Sequence, residues 1–238
     1  MSTEPRFDII GAALADPSRS RILCEMMDGR AFTNKELACA ANVTAQTASA
    51  HLKQLEAAGL TASLRSGRNV YHRISSAEVA SILETLAGLS PTDHLHRAKN
   101  RNKPEVDALR ARSCYNHIAG RLGVLITDQL ITKGALLLQG DSASVTPEGV
   151  AFFHAIDINV LNINNTKKPA VKLCLDWTER RHHISAPLAT ALMDRSLEKK
   201  WLERCKASRA LKITALGYEA FDRDFGISHD SLEGISLT

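Results

Sequence analysis

Three helix starts in quick succession, followed by a change of hydrophobic period, limit most how this chain can fold. Asp16 before Pro17 fits a capped helix start, since proline lacks the amide hydrogen left unsatisfied there, and Ile22, Leu23 and Met26 then share a face. Asp28-Gly29 ends that segment. Thr33-Asn34-Lys35-Glu36 has the form of a capping box, in which a threonine oxygen and a glutamate carboxylate each satisfy a free backbone amide, and it opens a helix to about Ala41. After a turn at Asn42-Val43, Thr44 caps a third helix with Ala48, Leu52 and Leu55 as its buried stripe, closed by Gly59 in a left-handed conformation. Beyond Gly59 the period becomes two: Leu60, Ala62 and Leu64 on one strand, Val70, His72 and Ile74 on its partner, with the turn at Ser66 to Asn69. Ser75-x-x-Glu78 then starts a helix whose apolar face is Val79, Ile82, Leu83 and Leu86. This is helix-turn-helix punctuation, and an apolar helix face at each end of so small a domain suggests pairing of two copies.

Length and charge divide the rest. With 238 residues, two domains of ordinary size are expected, and 44% hydrophobic with 24% charged residues is a globular composition. No apolar run approaches the roughly 18 residues of a membrane span. The amino terminus carries Glu4 and Asp8 where a secretory signal would be basic, so a cytoplasmic protein without membrane partners is expected. Five scattered cysteines with no C-x-x-C pair argue against a disulfide framework. The net charge is +4, and the surplus is local: residues 1 to 90 hold nine basic and nine acidic groups, while His94 to Pro104 holds four basic groups and no acid. These boundaries give a first domain at 1–88, a basic linker at 89–104 in which Arg97, Lys99, Arg101 and Lys103 could touch phosphate, and a second domain at 105–238.

The phrase Glu36-Leu37-Ala38, then Val43-Thr44-x-x-Thr47-Ala48-Ser49-x-His51-Leu52-Lys53-x-Leu55-x-x-Ala58-Gly59-Leu60, resembles the winged-helix regulators of the ArsR type, as does Leu14-Ala15-Asp16-Pro17-x-Arg19-x-Arg21-Ile22-Leu23 upstream. The resemblance covers about residues 6 to 87 and implies a dimeric transcriptional regulator, usually a repressor released from its operator by an effector. The residues agree independently. A helix fits the major groove with its first side chains at base edges. Thr44, Ala45, Gln46, Thr47, Ser49 and His51 are expected on that exposed face, with Gln46 able to pair with adenine and Ala45 and Thr47 able to touch a thymine methyl. Lys53, Arg65, Arg68 and Arg73 would neutralise phosphates of double-stranded DNA.

The second half is expected to hold the effector. Val124 to Phe153 and Leu188 to Phe221 repeat the outline of Ser49 to Ser75, helix then hairpin then hydroxyl residue, and both end in T-x-x-G-x-x-x-F, so the whole reads as mainly α with small β-hairpins: an N-terminal winged helix-turn-helix and a C-terminal α+β, winged-helix-like domain. Cys114-Tyr115-Asn116-His117 places a thiol and an imidazole three apart, as on one helix face, and Cys174 to His183 adds a thiol, imidazoles, carboxylates and an indole. A small-molecule pocket from Tyr115, His117, Trp177, Glu179, Arg180 and His183, a reactive thiol at Cys114 or Cys174, and a metal site from Cys114, His117, Cys174 and His183 all stay open. The metal positions familiar in the resembled family are not filled: Thr33, Asn34 and Lys35 precede Glu36, Ser76 to Ala87 holds only Glu78 and Glu84, and Asp93 to His96 lies beyond. Cys39, between Ala38 and Ala40, reads as core. G-x-G-x-x-G after a strand, GxxxxGK[ST], HExxH and GxSxG do not occur, so no enzyme is expected; an adaptor whose second domain binds a protein is the other class.

Overall fold

Asp16 accepts the amides of Ser18 and Arg19 and so starts α2 (Pro17–Met26), which follows α1 (Phe7–Leu14). Arg19 turns back to donate to the carbonyls of Ala12 and Ala13, capping the end of α1 that proline cannot continue. The structure, a computed structural model, describes residues 4–90, 103–140, 142–163, 169–205 and 208–234; Asp93 to His96 and most of the expected linker, with Arg97, Lys99 and Arg101, lie outside them. The chain divides into two units, Met1–Ile82 and Leu83–Thr238.

In the first unit β1 (Phe32–Thr33) leads into α3 (Asn34–Ala41), whose capping box between Thr33 and Glu36 is complete, and Asn42 adopts a left-handed conformation before α4 (Ala45–Ala57). Thr44 accepts the amide of Thr47 to start α4, and Asn34 donates to the carbonyl of Ala45, fixing the start of one helix against the other. Ile22, Leu23, Met26, Leu37, Ala41, Ala48, Leu52 and Leu55 form the buried core. The hairpin β2 (Thr61–Ser66) and β3 (Asn69–Ile74) follows, and α5 (Ala77–Leu89) begins in this unit and ends in the next.

Some expectations are corrected here. The hairpin does not bury one whole face: Leu64 and Val70 are exposed and burial is confined to Leu60, Thr61 and Ile74 at its base, because the strands run out past the helices. β1, too short to carry a period, joins the sheet in the order β1-β3-β2. The cap of α5 is Ser76, which accepts the amide of Val79, because the Ser75 hydroxyl is given to the carbonyl of Gly59. Cys39 is exposed, on the outer side of α3.

The second unit continues with α6 (Lys103–Arg110), the hairpin β4 (Arg112–Cys114) and β5 (His117–Ala119), α7 (Arg121–Thr132), β6 (Leu136–Gln139), β7 (Ser142–Val145), α8 (Pro147–Ala155) and α9 (Val160–Ile163). Then come β8 (Val171–Leu175), β9 (His182–Ser185), α10 (Ala186–Glu198), β10 (Leu202–Arg204), β11 (Leu211–Ile213), α11 (Ala215–Ala220), a π-helical turn (Phe221–Phe225) and α12 (His229–Glu233). Strands β6, β7, β8 and β9 form one antiparallel sheet in that order, and the core takes Leu122, Ile126 and Leu130 from α7 and Leu188 and Leu192 from α10.

One set of hydrogen bonds recurs at three places and explains the repeated outline. Each helix α4, α7 and α10 ends with a left-handed residue, Gly59, Gly134 or Lys200. The amide of the next residue, Leu60, Ala135 or Trp201, returns to the carbonyl of Leu55, Leu130 or Ser196. The hairpin that follows ends in Ser75, Thr146 or Thr214, whose hydroxyl donates to the carbonyl of that left-handed residue at 2.7, 2.6 and 2.7 Å. In the latter two Thr146 and Thr214 also cap the following helix, and a Cβ at Gly149 or Gly217 would stand 2.1 Å from the carbonyl of Ala135 or Trp201. Glycine in T-x-x-G-x-x-x-F is therefore a close-approach position, and the phenylalanines, Phe153 and Phe221, are wholly buried.

Candidate functional site

Thr44, Ala45, Gln46 and Thr47, at the capped start of α4, are all exposed, as are Lys53 further along and Arg65, Arg68 and Arg73 on the hairpin. Ser49 is half-buried. His51 is corrected: its ring lies 3.3 Å from Arg19 Nη1 and 3.8 Å from Asp16 Oδ1, because Arg19 also reaches Gln54, one turn along α4, and draws the imidazole toward α2. The hairpin is fixed to α4 by Glu56, which accepts the amide and hydroxyl of Ser63. Uncharged side chains therefore lead the helix, while the arginines are carried on the strands and turn of a hairpin tied to it through Glu56. The start of α7 is different in kind, with Leu122, Gly123 and Val124 buried, and so is that of α10, with Leu188 and Ala189.

In the second unit the two Cys/His segments meet. One ligand atom each from Cys114, His117, Cys174 and His183 lies within 4.8 Å of all the others. Cys114 and His117 do not share a helix face: Tyr115 is left-handed (φ 57°), the chain reverses over Tyr115-Asn116, and the two residues are directly opposite across β4 and β5. Cys174 and His183 are opposite each other in the same way across β8 and β9. Two hairpins thus present one thiol–imidazole pair each, and the imidazoles point Nε2 to Nε2 at 3.0 Å. Gly123 allows this approach, since a Cβ there would stand 2.4 Å from the carbonyl of Ile118 and 3.5 Å from Cβ of His183. Tyr115, Trp177, Glu179 and Arg180 lie outside the quartet, Arg180 turning to donate to the carbonyl of Ser90.

The quartet rests on a buried ion pair. Arg112, two residues before Cys114, donates through Nη2 to both oxygens of Asp176, two residues after Cys174, at 2.9 and 2.8 Å. Asp176 also accepts the amides of Gly120, Thr178 and Glu179 and the Thr178 hydroxyl. Burial works against its negative charge, but Arg112 and these donors outweigh it and hold the carboxyl well below the ordinary range. Its Oδ2 lies 3.5 Å from His183 Nδ1, a buried atom with no hydrogen-bond partner. The Arg112 guanidinium stacks under Trp177, 4.6 Å from the ring centroid. On α5, Glu84 is buried beside Cys114, with Oε1 3.4 Å from Arg209 and Oε2 without a hydrogen-bond partner. Burial and the bond to Cys174 push the Cys114 thiol up; the hydrogen bond from Cys114 and those from the imidazoles hold Cys174 down against burial; burial keeps His117 a neutral imidazole.

Sequence reasoning passed over Arg112, named Glu84 only in setting aside the resembled family's metal positions, and gave Asp176 no particular role. The mirror-like spacing of Arg112-x-Cys114 and Cys174-x-Asp176 was the available signal, but only the paired hairpins show that the two ends meet.

Comparison with known proteins bears on what these surfaces are for. A helix-turn-helix domain model matches residues 14–63. An uncharacterized HTH-type transcriptional regulator of Bacillus subtilis (strain 168), YdfF, is 38% identical over 223 residues, which is 94% of this chain and 98% of that protein. The chain belongs to the HTH-type transcriptional regulators. The likeness to YdfF runs through both units, so the second unit belongs to this regulator's architecture and is not an unrelated appendage. The first unit of the regulator holds the helix-turn-helix match and resembles the winged helices of the ArsR type through the motifs at Leu14 to Leu23 and Glu36 to Leu60. The HTH-type regulator CmtR of Mycobacterium tuberculosis (strain H37Rv) is 35% identical over 77 residues, 32% of this chain and 64% of CmtR. A solved homodimeric winged helix-turn-helix domain of Mycobacterium bovis, described as a possible ArsR-family regulator, is 25% identical and covers 42% of this chain and 94% of its own, with a TM-score of 0.32. No helix among the described residues is long and apolar enough to cross a membrane.

Proposed function

We propose that this regulator binds an operator as a homodimer, with α4 in the major groove and the β2–β3 hairpin on the phosphates, and that it is a repressor whose grip an effector in the second unit releases. The supporting observation is the contrast between the exposed, uncharged start of α4 and the buried starts of α7 and α10: of three helices with the same closing hydrogen bonds, one leaves its first turn exposed. Pairing of copies has apolar side chains to draw on in the first unit, where Phe7 and Ile9 of α1 and Ile82 of α5 are exposed. The second unit is read as a sensor and not an enzyme because its reactive groups are enclosed: Cys114, His117 and His183 are buried, where a substrate would have no approach. We take the regulator as cytoplasmic, where it would meet DNA, with residues 1–88 as reader and 105–238 as sensor.

The test is binding to a duplex selected from genomic fragments, with isotherms at two salt concentrations. Gln46→Ala is expected to weaken binding by about 1–3 kcal/mol at one base pair, and Arg68→Ala to weaken it on every sequence and flatten the salt dependence by about one phosphate contact. Unchanged affinity in both variants would show that α4 and its hairpin are not the reading surface.

A further inference from the structure

We propose that Cys114, His117, Cys174 and His183 bind one soft divalent cation of the zinc class, held tetrahedrally by two thiolates and two imidazole Nε2 atoms, and that this ion is the effector of the second unit. This deepens the sensor reading above and rests on it for the effector role, though the site itself stands on geometry alone.

The donor set is closed and chemically coherent. Bonds of about 2.0 Å to nitrogen and 2.3 Å to sulfur place tetrahedral ligands about 3.3–3.8 Å from one another. The four donor atoms fall within 4.8 Å of each other, and the imidazole nitrogens, at 3.0 Å, need to part only slightly to admit an ion. Each hairpin supplies a thiol and an imidazole from cross-strand partners, so neither hairpin needs to refold for its pair to face the same point. Two thiolates and two imidazoles favour zinc or cadmium over magnesium or calcium, which take oxygen ligands.

Charge balance selects the valence. The carboxylates beside the site are each engaged by an arginine, Asp176 by Arg112 and Glu84 by Arg209. Their charges are therefore matched without the ion. The balancing charge must come from the two sulfurs, both bound as thiolates once the remaining thiol proton has gone to solvent, and two thiolates neutralise a divalent cation but leave a monovalent one with a net negative charge in a buried place. The outer arrangement fits as well: Asp176 Oδ2 stands 3.5 Å from the unpartnered Nδ1 of His183, where a carboxylate would orient the ring and keep its proton on the nitrogen that faces away from the metal.

The route to DNA is also on the chain. Glu84, buried next to Cys114, lies on α5, a helix that begins in the DNA-reading unit. An ion seated between β4 and β8 changes the packing beside Glu84 and so beside α5, whose Ile82, Leu86 and Leu89 are exposed apolar side chains. Glu84 is thus a positioning residue, not a ligand.

The full chain, reduced and stripped by a chelator, should take up one Co²⁺ per chain, with a thiolate charge-transfer band and the intense visible bands of a tetrahedral site, and Zn²⁺ should displace it. Cys114→Ser and Cys174→Ser should each lose the charge-transfer intensity, while Cys24→Ser and Cys39→Ser, at exposed thiols, should keep it. If the serine variants misfold, the wild-type chain still decides through its cobalt spectrum and a rise in melting temperature with Zn²⁺. Absence of a tetrahedral cobalt spectrum, or metal held equally well by the Cys114→Ser/Cys174→Ser double variant, overturns the site. Oxidation to a Cys114–Cys174 disulfide with no metal uptake by the reduced chain overturns it in favour of a thiol sensor. Operator affinity is read separately: about a tenfold or greater loss with Zn²⁺ is expected, abolished in Glu84→Gln with cobalt binding intact. Metal uptake with unchanged operator affinity would overturn the effector role and leave a structural metal site, whereas loss of all DNA binding with or without metal would refute the regulator reading instead.

Discussion

Asp176→Asn isolates the charge that holds the two Cys–His hairpins together. In the native unit the carboxylate faces Arg112 Nη2 at 2.8 and 2.9 Å and also takes three backbone amides and a hydroxyl. Asparagine has nearly the same shape and still accepts hydrogen bonds, but it leaves the buried guanidinium without its counter-ion, among neutral groups such as the Ala108 carbonyl, the Thr178 hydroxyl and the Trp177 ring. Breaking a buried pair by removing one partner costs about 3–5 kcal/mol, a large part of the roughly 5–15 kcal/mol that stabilises a domain. Asp176→Ala adds orphaned amides, each worth about 1–3 kcal/mol, and is expected to leave the unit largely unfolded. Replacing both partners, as Arg112→Met with Asp176→Leu, should return only part of the loss because the amides stay unsatisfied. The assay is urea unfolding with chelator present, followed by Trp177 fluorescence in a Trp201→Phe background, since Trp177 lies over Arg112 and reports this network. An Asp176→Asn protein within about 1 kcal/mol of the parent would refute the argument, because so small a cost belongs to a hydrated, surface-like pair.

Two smaller perturbations test the joints of the fold. Gly217→Ala puts a Cβ 2.1 Å from the Trp201 carbonyl, a backbone atom that cannot rotate away, so a loss of about 1–3 kcal/mol and a melting temperature several degrees lower are expected; an unchanged melting temperature would count against the close-approach reading. Glu36 is held below its ordinary carboxylate range by the amide and hydroxyl of Thr33. Its contribution to the first unit is present above the unfolded value and fades as pH falls through the lowered one, so the acid limb of the stability curve should flatten in Glu36→Gln, as measured by thermal unfolding between neutral and acid pH.

Local signals were readable where chemistry is local. Asp16, Thr33, Thr44, Thr146 and Thr214 cap helices because a hydroxyl or carboxylate at that offset reaches a free amide whatever lies elsewhere in the chain. Ser75 misled because its hydroxyl had a competing acceptor, the Gly59 carbonyl, that only the returned hairpin brings near. Cys-x-x-His fits a helix face and a tight hairpin equally well, and the left-handed Tyr115, a residue type that rarely adopts that conformation, decides between them. The meeting of Cys114 with Cys174 was written in no local pattern, since it depends on α7 approaching β9 through Gly123. Leu64 and Val70 alternate properly, but period says which side a residue faces, not whether anything stands there.

The closing hydrogen bonds of α4, α7 and α10 are made by main chain and one hydroxyl, so they place almost no demand on the side chains the helix carries. A single joint can therefore be reused with opposite facings, once with the first turn left exposed and twice with it packed inward as scaffold. In such a chain, what distinguishes reader from support is decoration on a shared hinge, and moving the surface residues of α4 onto another copy would fail unless that copy were first freed from its own core.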